Sequence, residues 1–204
     1  MIDPPVIPAG PAQTVEPDVL GFSGGQRIHD SGAEGAAWRV ASGVVRFDLI
    51  EATEGEPVFA GLALDGDIVG AEALLFGRYS YRATALTDCE LSPWPGGALA
   101  DSDSLLRALT LANHRAARVV ALRSGQAIER VRRLIRMLLP QAPAAPRAEI
   151  PPLRDIAEIT ALTVETVSRI LSGLRRKKVL EPEQQRRGRG RKSCRVSLDL
   201  LAAI

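Results

Sequence analysis

Residues 153–180 read LRDIAEITALTVETVSRILSGLRRKKVL, and the spacing of their apolar side chains decides the fold of this part of the chain. Leu153, Ile156 and Ala157 mark the buried side of a first helix. Thr163 is an N-cap by type, since its hydroxyl can accept an orphan backbone N–H two or three residues on. Beyond it, Val167, Ile170, Leu171 and Leu174 recur at i, i+3, i+4 and i+7, the spacing of a core-facing stripe. Glu165, Ser168, Arg169 and Ser172 recur in the same way on another face. The expected unit is helix, tight turn, helix, with a polar face at the N-terminus of the second helix.

Ten Lys/Arg follow within residues 175–195, and VLEPEQQRRGRGRKSCRVSL reads as strand, basic loop, strand. The whole is a winged helix-turn-helix. A polar N-terminal helix face of this kind enters the DNA major groove. There Arg bonds guanine O6 and N7, and Glu accepts from cytosine N4–H. The expected phosphate contacts are Thr163, Thr166, Arg175, Arg186, Arg187, Arg189, Arg191 and Lys192. Charge distribution agrees. Residues 1–104 hold 5 Lys/Arg against 16 Asp/Glu, a net of −11, whereas residues 105–204 hold 21 against 8, a net of +13. The second half is built to meet a polyanion.

Upstream the pattern changes. Residues 1–20 are Pro-rich and read as a loose arm. From Gly21 to Trp94, short runs such as WRVASGVVRFDLI, PVFAGLAL, DIVGAEALL and YRATALTDCEL are strand-like. ASG (41–43) and LDGD (64–67) are turns between them. Regular short strands of this kind form a barrel or jelly roll. Leu105, Leu109, Ala112, Ala116, Val119 and Leu122 then follow helical spacing and form an apolar seam, read as a dimer contact. RSGQ (123–126) breaks the helix before a second one over 127–139, and 140–152 is a Pro/Ala linker. The expected division is an arm (1–20), a β-roll (21–100), a dimerisation helix (101–123) and a DNA-binding unit (124–204).

Apolar residues make up 46% of the 204 and charged residues 25%, as in ordinary globular proteins. No apolar run is long enough for a membrane span. The N-terminal stretch lacks the basic and apolar regions of a secretory leader, so the expected location is the cytoplasm. Cys89 and Cys194 are too few for a zinc site or an all-cysteine cluster. No nucleophile–base, metal-histidine or phosphate-loop pattern is present, which argues against an enzyme.

At these residues the chain resembles the CRP/FNR family of bacterial transcription regulators. TVETVSRIL (163–171) is similar to that family's recognition helix, and residues 62–91 are similar to the end of its cyclic-nucleotide-binding-type β-roll. The resemblance implies an α+β protein: roll, long dimerisation helix, winged helix-turn-helix. It implies a homodimer on a pseudo-palindrome, with RNA polymerase as partner. The residues carried over are Val164, Glu165, Ser168 and Arg169. Val and Ser at 164 and 168 look like the FNR branch, which implies TTGAT-like half-sites. Arg169 is assigned to guanine, Glu165 to the opposing cytosine and Ser168 to a neighbouring thymine. The chain departs from the family in three places. Ala161 stands where the turn usually has Gly. Tyr79-Ser80-Tyr81 replaces the Arg-Ser/Thr-Ala phosphate cradle, which argues against cyclic AMP as effector. The N-terminal cysteine cluster of the oxygen-sensing branch is missing.

No cofactor or metal is expected, and the effector is not legible. The alternatives are a regulator that needs an effector (a cyclic nucleotide, another small ligand or haem) and has a different operator, or a non-specific basic nucleic-acid binder. Cys194 lies among cations, which makes it either a redox-reactive thiol at the DNA surface or a passive small residue. Cys89 reads as a core thiol. His29 and His114 read as surface or interface residues, with haem ligation as the alternative. Asp65 and Asp67 read as turn residues, and Trp38 and Trp94 as packing.

Overall fold

The computed structural model describes residues 19–50, 56–94, 102–140, 146–183 and 193–203. Its first elements are β1 (Leu20–Phe22), β2 (Arg27–His29), β3 (Trp38–Ser42), β4 (Val45–Ile50), β5 (Pro57–Ala63) and β6 (Ile68–Val69). They continue with α1 (Ala73–Phe76), β7 (Arg82–Ala85) and β8 (Cys89–Pro93). The eight strands form two antiparallel sheets, ordered β1-β8-β3-β6 and β2-β7-β4-β5. Alternating residues fill the space between them: Val40, Val45, Ala63, Val69, Ala83, Ala85, Cys89 and Leu91 form one core cluster.

Gly43 and Gly66 occupy the two turns read from sequence, at φ +89° and +84°. A side chain at Gly43 would also collide with the backbone of Asp88 and Cys89. One expectation fails here. DIVGAEALL is not a full strand: only Ile68 and Val69 pair, and residues 73–76 wind into the single turn α1, closed by a left-handed Gly77. Gly70 at φ +76° ends the strand and frees the chain to turn.

Two helices follow, α2 (Ser102–Ala121) and α3 (Ala127–Met137), separated by the expected break. The C-terminal part holds β9 (Arg147–Glu149), α4 (Leu153–Thr160), α5 (Val164–Arg176), β10 (Leu180–Pro182), β11 (Ser193–Val196) and α6 (Leu198–Ala202). Its sheet is ordered β10-β11-β9, so Arg147–Glu149 is a strand inside the stretch read as linker. Three residues of RAE carry too little pattern to betray a strand, and pairing to β11 makes it one. The closing helix α6 was not legible either.

A second core runs continuously from the roll (Val44, Phe59, Leu62, Leu64, Leu86) through α2 and α3 into the helix pair (Ile156, Ile159, Val167, Leu171, Leu174). Val119 and Leu122 belong to it, at 8% and 0% exposure. That corrects the reading of these two as dimer contacts: the C-terminal end of the seam packs into the chain's own core. The opposite side of α2 is the open one, with Leu106 and Val120 exposed. Ala112 and Ala116 are exposed and line a cleft of about 420 Å³ between α2 and the roll. The side chains of Leu105 and Leu109 lie outside the described residues. Among the described residues, no helix is long and apolar enough to cross a membrane.

Candidate nucleic-acid interface

The helix pair α4–α5 is set by backbone chemistry at its turn. Thr160 is fully buried, and its hydroxyl donates to the Ile156 carbonyl. Ala161 takes the left-handed conformation, φ 53° and ψ 48°, and the Leu162 N–H closes back on the Ala157 carbonyl at 2.9 Å. Thr163 then starts α5, its hydroxyl accepting from the Thr166 N–H at 3.2 Å. The cap and the left-handed alanine are both as the sequence indicated.

The open carbonyls at the end of α4 are met by side chains that the sequence reading did not single out. Arg123 donates to the Glu158 and Ile159 carbonyls, and Arg130 to those of Thr160 and Ala161. Two cations at a helix C-terminus satisfy orphan acceptors and oppose the dipole there. Helical spacing in residues 123–130 gave no signal for this, because it depends on how α3 lies against α4.

Val167, Leu171 and Leu174 are buried at 0–2% exposure, and Ile170 packs beside them. This anchors α5 and turns the opposite face outward. Val164, Glu165 and Arg169 are exposed there, with Ser168 half-buried. Arg169 Nη2 lies 2.6 Å from Glu165 Oε1. Arg175 and Arg176 are exposed in the last turn of α5. Thr163 is exposed and Thr166 half-buried at its first turn. Arg186, Arg187, Arg189, Arg191 and Lys192 lie outside the described residues, between β10 and β11.

Cys194 sits inside the wing sheet, opposite Ala148 and Pro182, at 2% exposure. Alternation along β11 turns it inward and Arg195 outward. Of the two readings of Cys194, this burial favours the passive small residue, since an oxidant needs access to the sulfur. Cys89 is a core thiol, and burial pushes its pKa up to about 12. His29 is not a surface residue. It is 8% exposed and stacked on Tyr79 at 3.6 Å, and burial lowers its pKa. His114 is exposed. Tyr79, at the cradle position, is buried and donates to the Ala36 carbonyl at 2.8 Å. The flanking Arg78 and Arg82 are held by Glu34 and Asp30.

A two-sheet roll, a long helix and a capped helix pair with a three-stranded wing define a class: helix-turn-helix proteins that carry a cyclic-nucleotide-binding-type roll. The family described as bacterial regulatory proteins, crp family, matches residues 154–180. A CRP-family transcriptional regulator from Thermus thermophilus superposes with a TM-score of 0.66 at 25% identity, covering 90% of this chain and 95% of that one. FixK2 from Bradyrhizobium japonicum shares the fold, with a TM-score of 0.63, 22% identity, and 92% and 96% coverage. No curated protein sequence matches the chain. The helix-turn-helix thus matches the crp family, and over nine-tenths of its length the chain is similar in fold to CRP/FNR-family transcriptional regulators.

Proposed function

We propose that this regulator acts as a homodimer in the cytoplasm, reading a pseudo-palindromic operator with TTGAT-like half-sites. The observation that carries the reading is the outward face of α5. Its exposed Val164, Glu165 and Arg169 and half-buried Ser168 stand at the helix N-terminus, held there by a buried Val167–Leu171–Leu174 anchor. Arg169 is assigned to guanine, Glu165 to the paired cytosine and Ser168 to a neighbouring thymine. Thr163, Thr166, Arg175 and the basic residues 186–192 are assigned to phosphates. The functional units are the roll (21–100), the helix that joins the dimer (101–123) and the reading head (124–204). The dimer forms on the open side of α2, where Leu106, Thr110, Asn113, Ala117 and Val120 recur at intervals of four and three. RNA polymerase is the protein partner the family implies.

The cleft between α2 and the roll supports a second reading, in which binding needs an effector. Arg115 of α2 reaches over it to the Leu64 and Asp65 carbonyls and the Asp67 carboxylate. Fluorescence anisotropy separates the two. The reduced, ligand-free protein is titrated onto a duplex with two TTGAT-like half-sites and onto a scrambled duplex at the same salt. A strong preference supports the first reading. Equal, strongly salt-dependent binding reports the phosphate contribution alone and sinks it.

A further inference from the structure

Strand β4 sends neighbouring side chains in opposite directions, as alternation requires. Phe47 lines the cleft beside α2, while Arg46 leaves the roll and reaches the first helix of the helix-turn-helix. Its guanidinium meets four carboxylate oxygens. Nε donates to both Asp48 oxygens at 2.8 and 3.1 Å, Nη1 to Asp155 Oδ1 at 3.2 Å and Nη2 to Glu158 Oε2 at 2.6 Å. The Arg46 side chain is 7% exposed, as is that of Asp48. Phe59 from β5 closes the far side, with Arg46 and Arg123 over its ring. Arg123 in turn holds the Glu158 and Ile159 carbonyls.

We infer that Arg46 is a positioning residue for DNA reading: it clamps α4, and through the rigid turn α5, in one pose against the roll. The inference rests on the reading of α5 as the recognition helix. Its basis is the mismatch between cost and need. A buried arginine–carboxylate network is weak evidence for stability, since an apolar contact of the same volume serves as well. Its directional bonds give what an apolar contact lacks, a fixed register between two units. The acids are divided to suit. Asp48 belongs to the roll and keeps Arg46 paired within it, while Asp155 and Glu158 belong to the head and are the only two of the three that span the units. Here positioning means fixing α4, since Arg46 touches no base-reading side chain.

The test is the full chain carrying D155N and E158Q, which removes the spanning charges and leaves the buried Arg46–Asp48 pair intact. Nitroxide labels on exposed Ser23 in the roll and Ser172 on α5 report the distance between the units. The expected result is a shifted or broadened label distance, with the circular-dichroism spectrum unchanged. Affinity for the two-half-site duplex changes at least fivefold relative to the scrambled duplex, and R154A, which breaks only the Glu158 bond within α4, does neither. An unchanged label distance in D155N/E158Q overturns the clamp. A changed distance with no change in relative affinity overturns the positioning role. Should wild type show no preference for the operator duplex, the DNA reading fails, and the label distance alone decides the clamp.

Discussion

Arg169 and Glu165 are bonded to each other across one turn of α5, Nη2 to Oε1 at 2.6 Å, with both side chains more than 70% exposed. Two residues assigned to opposite members of one base pair are therefore already side by side. An exposed i,i+4 pair contributes only about 0.3–0.5 kcal/mol, so DNA can open it cheaply. Arg169→Ala should cost roughly 1–3 kcal/mol of discrimination at the G·C pair and leave helix stability almost unchanged. Competition between operators substituted at that pair measures it. Undiminished preference in the variant would remove Arg169 from the reading set.

Ala161 holds a left-handed conformation that glycine adopts without penalty. Ala161→Gly should therefore stabilise the protein by up to about 1 kcal/mol, since relief of strain outweighs the added chain entropy. Thr163→Ala, two residues on, removes the cap of α5 and should cost about 1 kcal/mol. Urea unfolding of both variants gives the two signs. A destabilised Ala161→Gly would mean that the turn is relaxed with its alanine.

The turn and cap were legible because they depend on local chemistry: a Thr before an amphipathic run, and a turn shorter than any loop. The buried stripe of α5 was legible for the same reason. The seam of α2 was seen, but Val119 and Leu122 at its end were assigned to a partner, because a stripe of apolar residues does not say whether it meets its own core or another chain. Arg46, Arg123 and Arg130 were not singled out at all. Each acts on a helix that lies far along the sequence, and only the packing of α4 against the roll and α3 brings acceptor and donor together. Cys194 could be read two ways for the converse reason. Its neighbours in sequence are cations, but its neighbours across the sheet are Ala148 and Pro182.

Acid should weaken the joint between roll and head. Burial opposes ionisation of Glu158, but bonds from Arg46 on β4 and Arg154 on α4 outweigh it and hold the carboxyl below its ordinary 4.5. Asp48 and Asp155 share the same guanidinium. A depressed carboxyl contributes stability above its unfolded pKa and loses it as the pH falls through the lower folded value. The stability gap between wild type and Glu158→Gln should thus be widest above about pH 4.5 and close on further acidification. Urea midpoints of the two proteins across that range test it. A gap independent of pH would show that the carboxyl's charge plays no part.

Both cysteines should be silent in the folded protein. Cys194 is shielded within the wing sheet. Cys89 is shielded within the roll, with a pKa near 12, raised by burial and by Asp88 and Glu149. At about pH 8 on the order of 10⁻⁴ of the Cys89 thiols are ionised, and only the thiolate attacks a disulfide reagent. Dithionitrobenzoate should therefore modify neither cysteine until denaturant is added, and both afterwards. Peroxide treatment should leave operator affinity the same in wild type and Cys194→Ser. Rapid labelling of one thiol in native buffer, absent in Cys194→Ser, would show that the wing sheet opens often enough to expose its sulfur. A redox role at the DNA surface would then have its chemical basis.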